Sequence, residues 1–451
     1  MEAQKSPDFY SLSEKVGRFH PRERICLIPQ MNRRGGHLLA GTFRGFGIKA
    51  QVMDTYEGMD LGKEFTSGKE CYPCQVTTGD ILYFMKKEKE RLGDAFDAEN
   101  YVYFMPESEG PCRFGMYNKY QRIVLDSFPE LEKLRICALS SKDGYSLDGL
   151  MDQDRVRDFR KAAYFSVVAA DILDRMLWRI RPYEREPGMT DAFIERAMVT
   201  MSDAFEAHGP ANDFEKILAQ LETVIREGKA IVDPTIPPKP LIGIVGEIYL
   251  RTHAESNQDI IRVLERHGGE VVNSSIAEWI NYVTYDQLRV ARKGLRMNLR
   301  KFRVRESMAH LREILNHGVN LYYQQAKLGQ IYKRVKSLID VAEEHPIAHF
   351  EDILKEEDIF SFDVGTEACL SIPGILQYVR DGYNGVVNVY PFTCMPSTAT
   401  SAVVRPLVNR LKVPYLDAPY DGTTQPGREA AIRTFMYQAQ QHLKRNGRKA
   451  L

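Results

Sequence analysis

Short apolar runs recur along the chain, separated by stretches with helical spacing. In the first third these are Arg24-Ile25-Cys26-Leu27-Ile28-Pro29, Gly47 to Met53, Tyr101 to Met105 and Leu134 to Leu139. Runs of this length, alternating with helical stretches, predict parallel βαβ units. The proline-rich stretch 231–240 predicts a linker. Beyond it, Leu241 to Gly246 reads as a buried strand ending in a glycine turn. Asn257 to His267 is amphipathic and stops at Gly268-Gly269, and Glu270 to Asn273 reads as the next strand. Ile359 to Phe362, Gly385 to Tyr390 and Val413 to Leu416 complete the second set. Residues 152–229 and 285–344 are mostly helical by spacing. The pattern predicts an α/β chain of two doubly wound parallel-sheet domains, Rossmann-like or flavodoxin-like, with helical insertions. The N-terminal domain spans residues 1–150, a helical segment and linker 151–235, and the C-terminal domain 236–451, with an insertion at about 285–345.

At 451 residues the chain has room for two or three such domains. Lys+Arg 61 and Asp+Glu 61 cancel, so no global field points to nucleic acid or to an anionic membrane. Met1 to Phe19 is polar, without the apolar core of a signal peptide, and no run approaches ~18 apolar residues. The expected setting is the cytoplasm. One local exception is Arg289 to Arg312, dense in arginine and lysine. It reads first as a solvated helix face and second as a docking surface for a partner or an anionic ligand. Nucleic acid ranks last, because aromatic residues are sparse there.

The cysteines change the picture most. Seven is an odd number, spread over a long chain, which argues against a secreted disulfide scaffold. Three lie beside proline in Glu70-Cys71-Tyr72-Pro73-Cys74, Gly110-Pro111-Cys112-Arg113-Phe114-Gly115 and Pro391-Phe392-Thr393-Cys394-Met395-Pro396. Each is expected in a loop between a strand and a helix. Ligands of open α/β sheets bind beyond the carboxyl ends of the strands, where Cys112 and Cys394 fall. Cys71 precedes a helix predicted over 75–89, whose dipole favours a thiolate. Three such thiolates point to an iron–sulfur cluster in the cleft between the domains. One iron is left for water, substrate or a non-cysteine ligand.

Cys74 and Cys369 are further candidate ligands, whereas Cys26 and Cys137 sit inside predicted strands as core residues. Cys71 and Cys74 also permit a thiol–disulfide motif, but the polar segment 60–69 is not the buried strand that usually precedes one. A zinc site lacks a second Cys-x-x-Cys or a histidine pair. Gly246-Glu247-Ile248-Tyr249 is not a dinucleotide fingerprint, and no Walker A motif or Gly-x-Ser-x-Gly elbow is present. No nucleotide is therefore expected on this chain. Glu247, just past a strand end, is the leading acid/base candidate.

These segments together resemble the 2-hydroxyacyl-CoA dehydratase superfamily, which includes benzoyl-CoA reductase subunits and double-cubane cluster proteins. The nearest likeness is to its "CoA activase"-related branch. The resemblance covers nearly the whole chain and rests on Ser67 to Pro73, Gly110 to Gly115, Arg181-Pro182-Tyr183-Glu184, Gly246 to Arg251, Glu278-Trp279 and Pro391 to Cys394. It implies a [4Fe–4S] cluster on Cys71, Cys112 and Cys394, and a separate ATP-hydrolysing activator that delivers low-potential electrons. It implies a reductase or dehydratase-like component. Alternatives are a double-cubane [8Fe–9S] reductase of small molecules, with Cys74, Cys369 and then Cys137 as extra ligands, and a non-catalytic binding module. A homodimer or a related second subunit is the remaining partner expectation. Arg113, Glu247, Arg251 and Glu278 are the charged residues within the matching motifs, expected in ion pairs or near the cluster.

Overall fold

The computed structural model describes residues 16–17, 23–108, 110–141, 145 and 151–448. Apart from Val16–Gly17, the polar stretch Met1 to Phe19 lies outside them. The first sheet contains β1 (Val16–Gly17), β2 (Ile25–Ile28), β3 (Ala50–Val52), β4 (Tyr101–Phe104) and β5 (Arg135–Cys137). All its pairings are parallel, in the order β1-β5-β4-β2-β3. Its helices are α1 (Arg33–Gly45), α2 (Met59–Phe65), α3 (Tyr72–Leu92) and α4 (Tyr117–Asp126). Three helices follow: α5 (Gln153–Ile180), α6 (Met189–His208) and α7 (Phe214–Lys229).

The second sheet, also parallel, contains β6 (Leu241–Gly246), β7 (Glu270–Asn273), β8 (Gly385–Pro391) and β9 (Tyr415–Tyr420), in the order β7-β6-β8-β9. Around it lie α8 (Ile248–Thr252), α9 (Ile260–Arg266), α10 (Ile276–Arg300), α11 (Val304–Lys336), α12 (Ile347–Glu357), α13 (Ala368–Arg380), α14 (Met395–Leu411) and α15 (Arg428–Asn446). Setting β1 aside, both sheets place their first strand between the second and third, an order compatible with two Rossmann-like domains. Each therefore has a switch point, at β2/β4 and at β6/β8, where connections leave in opposite directions and a crevice opens.

Side-chain alternation explains why the first sheet is covered on both faces. Leu27, Tyr103 and Ile136 pack with Cys71, Cys74, Ile81 and Val124 on one face. Cys26, Val102 and Cys137 pack with Phe43 and Phe159 on the other.

Several expectations are corrected. Ile359 to Phe362 is not a strand. Ser361 accepts from Asp363 N and closes a short 3-10 turn over Phe362–Val364, and β8 holds the place beside β6. The last strand starts later than predicted, at Tyr415, because Val413 N caps the end of α14 by donating to Val408 O. It continues through Pro419, which an edge strand tolerates. The helix predicted over 257–267 begins only at Ile260, since Gln258 and Asp259 take positive φ. Residues 285–344 form a hairpin of α10 and α11, broken at 301–303 and starting as early as Ile276. Among the described residues no helix is long and apolar enough to cross a membrane.

Polar contacts lock the two halves together. His253 Nδ1 accepts from Ser256 N (3.1 Å), so its Nε2–H faces Thr55 Oγ1 (2.9 Å), and that hydroxyl donates to Asp80 Oδ2 (2.7 Å). Burial lowers the His253 pKa to about 3, keeping it neutral as this chain requires. Asp171 on α5 caps α10, accepting from Ile276 N (2.9 Å) and Ala277 N (2.8 Å). Burial nevertheless raises its pKa to about 7, well above the ordinary aspartate range. The folded state thus holds the Asp171 proton more tightly than the unfolded chain, so its stability falls as pH rises through that interval. Asp171→Asn cannot titrate. The stability of wild type relative to this variant is expected to grow as pH drops from 8 to 5, by roughly 1.4 kcal/mol per unit at most. Urea unfolding across that range checks the sign; an advantage that shrinks on acidification contradicts it.

Candidate functional site

The three cysteine loops meet between the two sheets. Cys112 follows β4, and Cys394 follows β8 as the residue that opens α14. Cys71 opens α3, but a helix rather than a strand precedes it, because 59–65 winds into α2. Two of the loops carry unusual backbone. Cys71 has φ 98° and ψ 145°, and Thr393, just before Cys394, has φ 66°. Non-glycine residues rarely adopt these conformations, which concentrate at functional sites.

Arg113 ties the loops together. Its Nη1 donates to Lys69 O (2.6 Å), two residues before Cys71. Its Nη2 donates to Thr393 O (3.0 Å), immediately before Cys394. Arg113 is itself the neighbour of Cys112, so one guanidinium spans all three segments. Gly110, with φ 92°, brings the Cys112 loop against the segment before α13: a Cβ there would sit 3.2 Å from Gly365 O. That contact places Glu367 beside Cys112, with Sγ 3.9 Å from Oε1.

The electrostatics reverse one expectation from sequence. Cys71 and Cys394 both stand at helix N-termini, where the dipole lowers a thiol pKa. Burial wins instead: it raises Cys71 to about 11, against Tyr117 and Arg113, which favour the thiolate. Cys112 and Cys394 are pushed up further, by burial first and then by the carboxylates of Glu367 and Glu247. Without a cation this site holds neutral thiols. A bound cation reverses that balance, because it compensates the thiolates that burial penalises.

Glu247 lies at the end of β6, facing the cysteines. Gly246 makes this possible: at φ 124° its missing side chain avoids Val389 O, which a Cβ would approach to 2.0 Å. Glu247 then caps α8, with Oε1 accepting from Tyr249 N (3.0 Å) and Oε2 from Leu250 N (2.9 Å). Burial and Glu367 raise its pKa to about 7 against those bonds. Both oxygens are engaged, so proton transfer by Glu247 competes with capping. Gly246→Ala is expected to destabilise the chain by about 2–5 kcal/mol through the clash and the backbone conformation. A denaturation midpoint equal to wild type would count against this account.

Arg251 and Arg181, two other charges of these motifs, hold structural contacts. Arg251 is buried and donates to Ser275 O (2.8 Å), and Ser275 Oγ accepts from Glu278 N (3.0 Å). Arg181 pairs with Glu265 and Asp191. Cys74 is buried beside Cys71, its sulfur 4.0 Å from Thr78 Oγ1. Cys369 does not follow a strand. It lies in the first turn of α13, its thiol 3.6 Å from Phe362 O, in a core with Tyr282. Cys26 and Cys137 are buried on the opposite face of the first sheet from Cys71 and Cys74.

Sequence reasoning passed over Glu367, although it lies two residues from Cys369. Its Oε2 is buried without a hydrogen-bond partner among the described residues. A carboxylate ending a glycine-bearing loop and opening a helix was the available signal.

Beside these groups lies a cleft of about 380 Å³. Its walls are mainly apolar, including Met31, Phe104, Phe114, Tyr117 and Trp279, and Glu247 and Glu367 also line it. Among the described residues no three His, Cys, Asp or Glu side chains are disposed around a single metal ion. A cubane asks for a different arrangement, because each thiolate binds a different iron. The donor set fits that demand: thiols from three loops, buried at Cys71 and Cys394 and half-buried at Cys112, the buried Glu367 and half-buried Glu247 carboxyls, and one bridging guanidinium. No protein-family model matches the chain, and no curated protein matches it significantly. The functional reading therefore rests on the site's own chemistry.

Proposed function

We propose that this chain binds a [4Fe–4S] cluster through Cys71, Cys112 and Cys394, between two Rossmann-like domains, and acts as a low-potential reductase or dehydratase-like component. The observation that carries the reading is the Arg113 clamp, which ties the Cys112 segment to the segments that lead into Cys71 and Cys394. When bound, the cluster supplies one-electron chemistry and a Lewis-acidic iron. The chain's own residues do the rest. The apolar cleft receives a small, largely apolar substrate portion and excludes water around it. Arg113 holds the thiolates in register. Glu247 and Glu367 set the local charge and stand where a proton can be held beside the substrate.

Electrons arrive, in this reading, from a separate ATP-hydrolysing activator. A thiol–disulfide role for Cys71 and Cys74 is less favoured, because burial raises both thiols well above the range of reactive ones. A double cubane is the second reading, supported by the buried Cys74 beside Cys71. Anaerobic reconstitution followed by iron and sulfide analysis tests both. About four irons per chain supports the single cubane, and about twice that the double cubane. Iron-free protein after reconstitution removes both readings.

A further inference from the structure

We infer that Glu367 supplies the fourth, non-cysteine ligand of the site, completing the set formed by Cys71, Cys112 and Cys394; this rests on the proposed cluster. The argument starts from an unpaired atom. Glu367 is only 8% exposed, yet its Oε2 has no hydrogen-bond partner among the described residues. Leaving a buried carboxylate oxygen unpaired costs about 1–3 kcal/mol or more, so such atoms call for an explanation. Oε1 meets the Cys112 thiol, and Glu367 lines the cleft. Metal binding removes the thiol proton that faces Oε1, which frees both oxygens. Glu247 is the rival carboxylate, but its oxygens are committed to Tyr249 N and Leu250 N.

Glu367→Gln keeps shape and volume and removes the charge. Wild type and variant are reconstituted anaerobically in parallel, with circular dichroism as the folding control. Both are expected to hold about four irons. The variant is expected to lose one iron to mild ferricyanide at least about tenfold faster, giving a [3Fe–4S] EPR signal, as loss of a ligand-shell group predicts. Its Mössbauer spectrum is expected to differ at one iron. Equal oxidation rates and identical spectra, with iron intact in both, overturn the inference and leave the cluster standing. Wild type without iron overturns both.

A second inference rests on a different surface. Helix α11 exposes Val304, Met308, Leu311, Leu315, Val319 and Tyr322, a stripe at spacings of three or four. The helix buries its inner seam against α10, so this stripe is a second apolar face. It is nearly symmetrical about Glu313: Val304 mirrors Tyr322, and Leu311 mirrors Leu315. A two-fold axis needs a surface of that self-complementary kind. Between Arg292 and Arg312 stand eight lysines and arginines against one acidic residue, in a chain of zero net charge. Antiparallel pairing of two copies sets these basic tips roughly 27 Å apart, beyond the screening length.

We propose that α11 pairs with the α11 of a second copy, antiparallel about Glu313. Sedimentation velocity is expected to show a dimer for wild type and a monomer for Leu311→Glu/Leu315→Glu, with unchanged circular dichroism. A mixture of Leu311→Cys and Leu315→Cys chains, whose positions face each other across the axis, is expected to crosslink under mild oxidant, and Met297→Cys is not. A monomeric wild type overturns the pairing, including one that sediments with phosphatidylserine vesicles. So does a dimer in which the Leu311→Cys and Leu315→Cys chains fail to crosslink.

Discussion

Cys112→Ala is expected to abolish cluster assembly while leaving the fold intact. Wild type should retain about four irons per chain after anaerobic reconstitution, and the variant less than about one. The size of the effect follows from the site's energetics. Desolvation disfavours a thiolate at Cys112, and a bound cation offsets that. In the proposed assignment the cluster is held by few, strongly coupled bonds, and deleting one leaves two thiolates that burial still opposes. Stability of the metal-free protein should change by no more than about 1 kcal/mol, because Cys112 is only half-buried and its one side-chain contact is weak. Cys137→Ala serves as the control. It sits in β5, in the core shared with Cys26, and should lower stability without changing iron content. Full iron in Cys112→Ala, or equal loss in Cys137→Ala, would falsify the assignment.

The strands were largely legible because their apolar runs are short, bounded and buried on both faces. Leu241 to Gly246 and Glu270 to Asn273 appear with their predicted bounds. The segment 359–362 looked alike, but a run becomes a strand only where a neighbour offers an open edge, and none remained beside β6. Contacts between distant segments were the hardest to read. No local pattern shows that Asp171 caps a helix more than a hundred residues away, or that Glu367 faces Cys112. The same limit hid the sign of the thiol pKa values. The helix N-terminus is a local feature and could be read; the burial that overrides it is a property of the assembled cleft.

Arg113→Ala is expected to weaken cluster retention by about 10–100-fold, measured as the rate of iron release to a chelator under anaerobic conditions. The residue binds no iron in this reading, so its effect runs entirely through position. Its two bonds fix the backbone just before Cys71 and just before Cys394. Both attachment points adjoin strained backbone, with Cys71 and Thr393 at positive φ. Strained conformations persist only where the surroundings impose them. Removing the guanidinium frees the loops to relax and disperses the thiols, and it also withdraws the positive charge that favours the Cys71 thiolate. Arg113→Lys separates these contributions. Lysine restores the charge but lacks the planar fork that reaches both carbonyls at once. Geometry is the larger part of the argument, so Arg113→Lys should release iron nearly as fast as Arg113→Ala. Full rescue by lysine would assign the effect to charge and leave the three-loop clamp without a role.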